Sequence, residues 1–169
     1  MSDSSDPGEP SNADEVRTFF AIYGSFLQLW QTFELVIEVA IMRRLNLSAR
    51  HASIVLNSLN FAAKSNILSS LLKEEGDQEA LSALGNAQTK AGRNDFIHSF
   101  LTIQDAGIFR LVRRNIKNGN YTADLNELDV PAMFTHGAQF AEAYERAQTA
   151  LGVTSEDVDQ YIEAIESHA

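Results

Sequence analysis

The sequence predicts an all-α protein, an antiparallel bundle of four to five helices. Three observations carry this reading. Apolar residues recur at a spacing near 3.6 over most of the chain, capping residues stand where the periodic runs begin and stop, and one short stretch, Ile108 to Ile116, has the look of a strand. A chain of 169 residues suits one domain with a core of its own. Met1 to Asn12 is dominated by Ser, Asp, Pro, Gly and Glu, which cannot offset their ordering entropy, so residues 1–12 are expected as a disordered acidic tail and 13–169 as a single helical domain.

Helix one is expected from Ala13, with Asp14 and Glu15 in its first turn, through Phe19, Tyr23, Phe26, Trp30, Phe33, Val36, Ile37 and Ile41 to about Leu45. Ser48 has the character of a cap for helix two, which carries Ile54, Leu56 and Leu59 and resumes after a break at Asn60 through Phe61, Leu68 and Leu72. Gly76 and Asp77 close it and open helix three, expected over Gln78 to Leu101 with Leu81, Leu84, Ala87, Ala91, Ile97 and Leu101 on its apolar side. Gly92 then falls inside that helix, at a cost of about 1 kcal/mol relative to Ala, and suggests close approach of another backbone or a ligand.

Between helices three and four, Ile108 to Ile116 is rich in branched residues and runs into Lys117-Asn118-Gly119-Asn120, followed by Tyr121 and Thr122. This suits either a small hairpin or an irregular linker. Helix four begins near Val130 or Pro131 and runs to Leu151, with Gly152 as its stop. A short fifth helix follows the Ser155 cap, with Glu156 and Asp157 in its first turn.

Phe19 to Ile41 is apolar enough to raise a membrane span, but Gln28, Gln31, Glu34 and Glu38 interrupt it on one side, so an amphipathic or core helix is expected and no membrane partner. The amino terminus lacks a basic, apolar leader and the chain has no cysteine, which makes the cytoplasm the expected compartment. The net charge of −10 speaks against a nucleic-acid partner until its distribution is followed. Residues 1–42 carry one Arg against seven acids and 118–169 one Arg against ten, whereas residues 43–117 carry eleven Lys and Arg against six acids and are net +5. A basic middle between acidic ends can present one positive groove to a polyanion.

The chemistry concentrates in Arg93-Asn94-Asp95-Phe96-Ile97-His98. On a helix, Asn94 and His98 share a face and the long Arg93 side chain reaches the same region, so one turn offers a guanidinium, an amide and an imidazole. Such a set suits a phosphodiester: Arg grips phosphate oxygens with paired donors and His moves protons near neutral pH. The pattern follows a Leu-Asn-Phe-Ala-Ala-Lys segment, Leu59 to Lys64, and a first helix with Trp30, Phe33 and Glu34 in series.

Over about residues 16–104 this combination resembles the HEPN superfamily, helical proteins named for their occurrence in higher eukaryotes and prokaryotes, whose signature is Arg, a polar residue, three variable positions and His. Arg93, Asn94 and His98 stand at the signature positions. Ser99 and Phe100 follow, where catalytic members often carry a small residue after the His. The resemblance implies a homodimer that joins the Arg and His of both chains in one interface cleft and cleaves RNA without metal or other cofactor. His98 would then be the general acid or base, Arg93 would stabilise the phosphorane, Asn94 would orient the phosphate or His98, and the product would be a 2′,3′-cyclic phosphate. It also implies a toxin or defence component with an antitoxin or other regulatory protein as partner.

Other roles compete for the same residues. Glu34 and Glu38 lie one turn apart on an otherwise apolar helix, and a buried carboxylate needs a cation or strong donors. Arg93 is the expected partner of Glu34, fixing helix one against helix three. The other histidines, His51, His136 and His168, share no ligand spacing, so no metal site is expected. No Gly-x-Ser-x-Gly elbow or Gly-rich phosphate loop occurs, which leaves serine hydrolase and nucleotide kinase readings unsupported. The basic run Arg110, Arg113, Arg114 and Lys117 is either a solvated face or the flank of a cleft that holds RNA. The alternative to a nuclease is a non-catalytic HEPN-like dimerisation module that binds a nucleotide or a partner protein.

Overall fold

The computed structural model describes residues 12–92, 96, 99–103, 108–117 and 120–167, and for residues 12, 100, 114–117 and 120–122 the backbone alone. The expected tail, residues 1–12, lies outside them except for Asn12, which opens the first helix. The described residues form α1 (Asn12–Arg44), α2 (Ala49–Leu56), α3 (Phe61–Glu75), α4 (Gln78–Ala91), β1 (Ser99–Ile103), β2 (Phe109–Lys117), β3 (Asn120–Leu128), α5 (Val130–Ala150) and α6 (Ser155–Glu166). The protein is mostly helical, but the all-α expectation is corrected by an antiparallel sheet of order β1-β2-β3 inserted between α4 and α5. Two compact units result: Met1–Ser25 with Arg93–Gly137, which contains the sheet, and Phe26–Gly92 with Ala138–Ala169, which is helical.

Local chemistry accounts for most boundaries. Ser48 caps α2 by accepting from the His51 amide at 3.3 Å, and Asn60 caps α3 by accepting from the Ala63 amide at 2.9 Å. The break expected at Asn60 is therefore a new helix start. Gly76, at φ +75, ends α3 in the left-handed conformation that glycine adopts without a Cβ penalty. Asp77 caps α4 through the Ala80 amide, and Asp129 accepts from the Ala132 amide at 2.7 Å where α5 begins.

Helix three of the sequence reading is shorter than expected. It stops at Ala91, because Gly92 takes φ +51 and its amide bonds back to Thr89. Gly92 is thus a terminating residue and not an interior one. Ser99 to Leu101, assigned above to the same helix, belong to strand β1 (Ser99–Ile103), in which Phe, Thr and Ile favour a pleated, partnered backbone.

In the helical unit Phe33 is fully buried, with rings of Phe61, Phe140 and Tyr144 at 5.9, 5.8 and 6.3 Å. Val36, Ile37, Val39, Ala40 and Ile41 are fully buried along the same helix. By length and composition α1 also meets the requirement for crossing a membrane, a test that the core helix of a soluble protein passes equally. In the sheet unit Phe19 is fully buried and stacks on Phe109 of β2, with ring centroids 3.5 Å apart. The first turns of α1 thereby cover the face of the sheet that carries Phe109 and Leu111.

The last helix is capped one residue earlier than expected. Thr154 is the N-cap and Asp157 completes a capping box, accepting from the Thr154 amide and hydroxyl, both at 2.7 Å. Arg43 of α1 also pairs with Asp157 and donates to the Gly152 carbonyl at 2.7 Å. The Thr154 amide, the Thr154 hydroxyl and the Arg43 charge hold the Asp157 carboxyl below the usual range, against the opposing effect of burial. A depressed carboxyl stabilises the fold above the ordinary Asp range, and that contribution is lost as pH falls through the lowered value. Asp157→Asn is expected to cost about 1 kcal/mol near neutrality. In thermal unfolding at a series of pH values, its difference from the parent protein should shrink toward acid; a constant difference would exclude this linkage.

Candidate functional site

Six residues, 93–98, join the Gly92 cap of α4 to the first residue of β1. Arg93, Asn94 and His98 lie outside the described residues; Phe96, in the middle of the signature, is described and buried. Its ring lies 4.7 Å from that of His136 and 6.3 Å from that of Tyr23, and its carbonyl accepts from the Tyr23 hydroxyl at 3.4 Å. Burial raises the Tyr23 phenol above its ordinary value and keeps it a neutral donor. The sequence marked the signature for its polar members; among the described residues, Phe96 anchors the segment in the sheet unit.

The sheet register connects the signature to the basic strand. Ser99, the residue after His98, pairs with Arg113, and Thr102 pairs with Arg110. On the other side of β2, Arg110 faces Glu127 and Arg113 faces Asp124. The Arg110 guanidinium meets Glu127 Oε1 at 2.5 Å, and the Arg110 carbonyl accepts from the Thr102 hydroxyl at 3.3 Å, so Arg110 ties the three strands together. Arg114 and Lys117 continue along β2, with their side chains outside the described residues. The hairpin admitted by the sequence is therefore present, longer than expected and joined by a third strand.

Glu34 and Glu38 belong to a second constellation, in the helical unit. The cation expected on Glu34 was Arg93, which lies outside the described residues; among the described residues Lys64 of α3 stands on Glu34. Its ammonium reaches Glu34 Oε1 at 2.7 Å and Glu38 Oε1 at 2.5 Å, and Glu38 Oε2 accepts from the Tyr161 hydroxyl of α6 at 3.0 Å. Lys64 is 5% exposed, which makes these contacts necessary. Burial alone would lower the Lys64 pKa, but hydrogen bonds and charges from the two carboxylates outweigh it and raise the value. Burial and the Glu38 charge raise Tyr161 well above the ordinary phenol range, so it stays a neutral donor. A permanent ammonium, two carboxylates and a neutral phenol make a clamp joining α1, α3 and α6.

Lys64 was legible in part. Phe61, Lys64, Ser65, Leu68 and Leu72 form the buried stripe of α3 at helical spacing, and a lysine in an apolar stripe demands an acid. An open groove of 830 Å³ between α4 and α5 of the same unit is lined by Glu79, Ser82, Asn86, Glu145 and Arg146. Its cation is already paired with Glu142, and it lacks the basic surface that RNA requires. Among the described residues no cluster of His, Asp and Glu has the make-up of a metal site.

Comparisons with protein-family models, curated proteins and solved structures found no match to this chain.

Proposed function

We propose that this chain is a cytoplasmic HEPN-type endoribonuclease, a homodimer whose Arg93, Asn94 and His98 from both protomers share one interface cleft. The observation that carries the reading is the continuity of the signature with the basic strand. The six-residue segment that holds Arg93, Asn94 and His98 runs straight into β1, and β1 pairs from its first residue with Arg113. A second observation supports it: Lys64 bonds both Glu34 and Glu38, so the cation that Glu34 requires is found among the described residues.

In the reaction, a ribose 2′-hydroxyl loses its proton to His98 of one protomer and its oxygen attacks the adjacent phosphorus. The P–O5′ bond breaks, and His98 of the partner subunit returns a proton to the departing oxygen. Arg93 stabilises the charge on the phosphorane and Asn94 orients the phosphate or His98. The products are a 2′,3′-cyclic phosphate and a 5′-hydroxyl, with no metal or redox partner involved. A protein with this activity fits a toxin or defence component restrained by an antitoxin or another regulatory protein.

Light scattering after size exclusion, followed by analysis of fragment ends from a mixed RNA pool, tests the proposal. A dimer mass and fragments ending in 2′,3′-cyclic phosphate are expected. A monomer at micromolar concentration, or fragments ending in 3′-hydroxyl, contradicts it. A well-folded dimer that leaves RNA intact is instead the non-catalytic interaction module.

A further inference from the structure

The helical unit gathers its exposed apolar side chains in one place. Among its described residues, the large apolar side chains that stand exposed are Leu45, Ile54 and Val55, at 45%, 64% and 52%. Ala52 and Leu56 are the buried residues of α2, so Arg50, His51, Ile54 and Val55 share its outer face. The same stretch reverses the charge of the protein. Residues 39–73 hold five Lys and Arg and no acid, in a chain with 23 acids against 13 Lys and Arg. Arg43 pairs with Asp157, Arg44 with Glu75 and Lys64 with Glu34 and Glu38, whereas among the described residues Arg50 enters no ion pair.

The neighbouring helix has the opposite character. α2 packs against α6, and an open cleft of about 240 Å³ between their first turns is lined by Leu47 and Ala49 on one side and by Asp157 and Gln160 on the other. Val158 and Tyr161 of α6 are buried, and Glu156, Asp159, Glu163 and Glu166 form an exposed stripe on the face turned away from them. From Ala147 to Ser167 the sequence has no Lys or Arg.

This pairing of faces selects the occupant. A polyanion drawn to Arg50, whether RNA or an anionic membrane, meets repulsion from the four carboxylates of the adjacent helix. A second copy of the chain does not. A two-fold axis can set α2 of one protomer on α6 of its partner and α6 on α2, so that each cationic face meets an acidic one and Ile54 and Val55 are covered in both chains.

We propose that two copies of this chain pair through a reciprocal contact of α2 on α6, with Arg50, Ile54 and Val55 set against the stripe of Glu156, Asp159, Glu163 and Glu166. The contact stands on the charge pattern of the helical unit and does not depend on the ribonuclease reading, whose signature belongs to the sheet unit. Light scattering over a dilution series of the full chain tests it. Ile54→Glu/Val55→Glu should weaken association about 100-fold and halve the mass at concentrations where the wild type is fully associated. Both positions are exposed, and circular dichroism checks that the variant is folded. Arg50→Glu and Asp159→Lys/Glu163→Lys should each weaken association about tenfold, since symmetry repeats every change at two places. Combined in one chain, the two charge reversals should return the affinity to within about threefold of the wild type, because opposite charges face each other again.

The contact is overturned by a wild type that is monomeric throughout the series, by an unchanged mass in the folded Ile54→Glu/Val55→Glu variant, or by combined reversals that bind no more tightly than either alone. Cleavage of RNA answers the other question. Halved mass in the variant of a wild type that leaves RNA intact keeps the contact and defeats the ribonuclease reading. Unchanged mass in the variant of a wild type that cleaves RNA does the reverse.

Discussion

Lys64→Met is expected to destabilise the protein by about 3–5 kcal/mol, the usual result of removing one partner from a buried ion pair. The substitution keeps the apolar stem and removes the only charge that stands on both Glu34 and Glu38 in the described clamp. Glu38, itself buried, would keep only the Tyr161 hydroxyl as a described partner. At about 2–4 °C for each kcal/mol in a chain of this size, the thermal midpoint should fall by roughly 10 °C. A raised lysine stabilises the fold below its ordinary pKa and loses that contribution as pH rises through the folded value, so the whole effect is present at neutral pH. Adding Glu34→Gln and Glu38→Gln to Lys64→Met should restore most of the loss, because no buried charge then lacks a partner. A Lys64→Met midpoint within 2 °C of the parent protein would show that the clamp carries little of the fold's stability.

The second large effect concerns chemistry. His98→Ala should lower the rate of RNA cleavage by about 10² to 10⁴, the range that a positioned proton donor or acceptor supplies. Because the two copies of His98 act in opposite protonation states, the wild-type rate should follow a bell-shaped pH profile. A variant that retains activity within tenfold, with the same profile, would remove His98 from the reaction. Unfolding midpoints of the two proteins are compared so that a loss of fold is not read as a loss of chemistry.

How much could be read from the sequence varied from one element to the next. α1 and α5 followed from their periodicity, α6 from a cap with acids in the first turn, and the break before α3 from Asn60, because caps and apolar stripes are local properties. Thr154 took the capping role expected of Ser155, since both are good caps and the Asp three residues on decides between them. The long helix three failed because Leu101 fits a helical phase as readily as a strand, and only pairing with Leu111 distinguishes the two. The Lys117-Asn118-Gly119-Asn120 sequence admitted the hairpin beside an irregular linker, whereas the third strand depends on contacts distant in sequence. For the site, spacing alone carried Arg93, Asn94 and His98. Lys64 was missed as the partner of Glu34 because an ion pair between distant helices leaves no sequence spacing of its own.

The central claim is metal-independent cleavage by the signature residues. It is tested most directly by incubating a mixed RNA pool in EDTA with the wild-type dimer and with His98→Ala of the same measured mass. The account predicts fragmentation by the wild type and intact RNA with the variant. Intact RNA with both, or equal fragmentation by both, would contradict it.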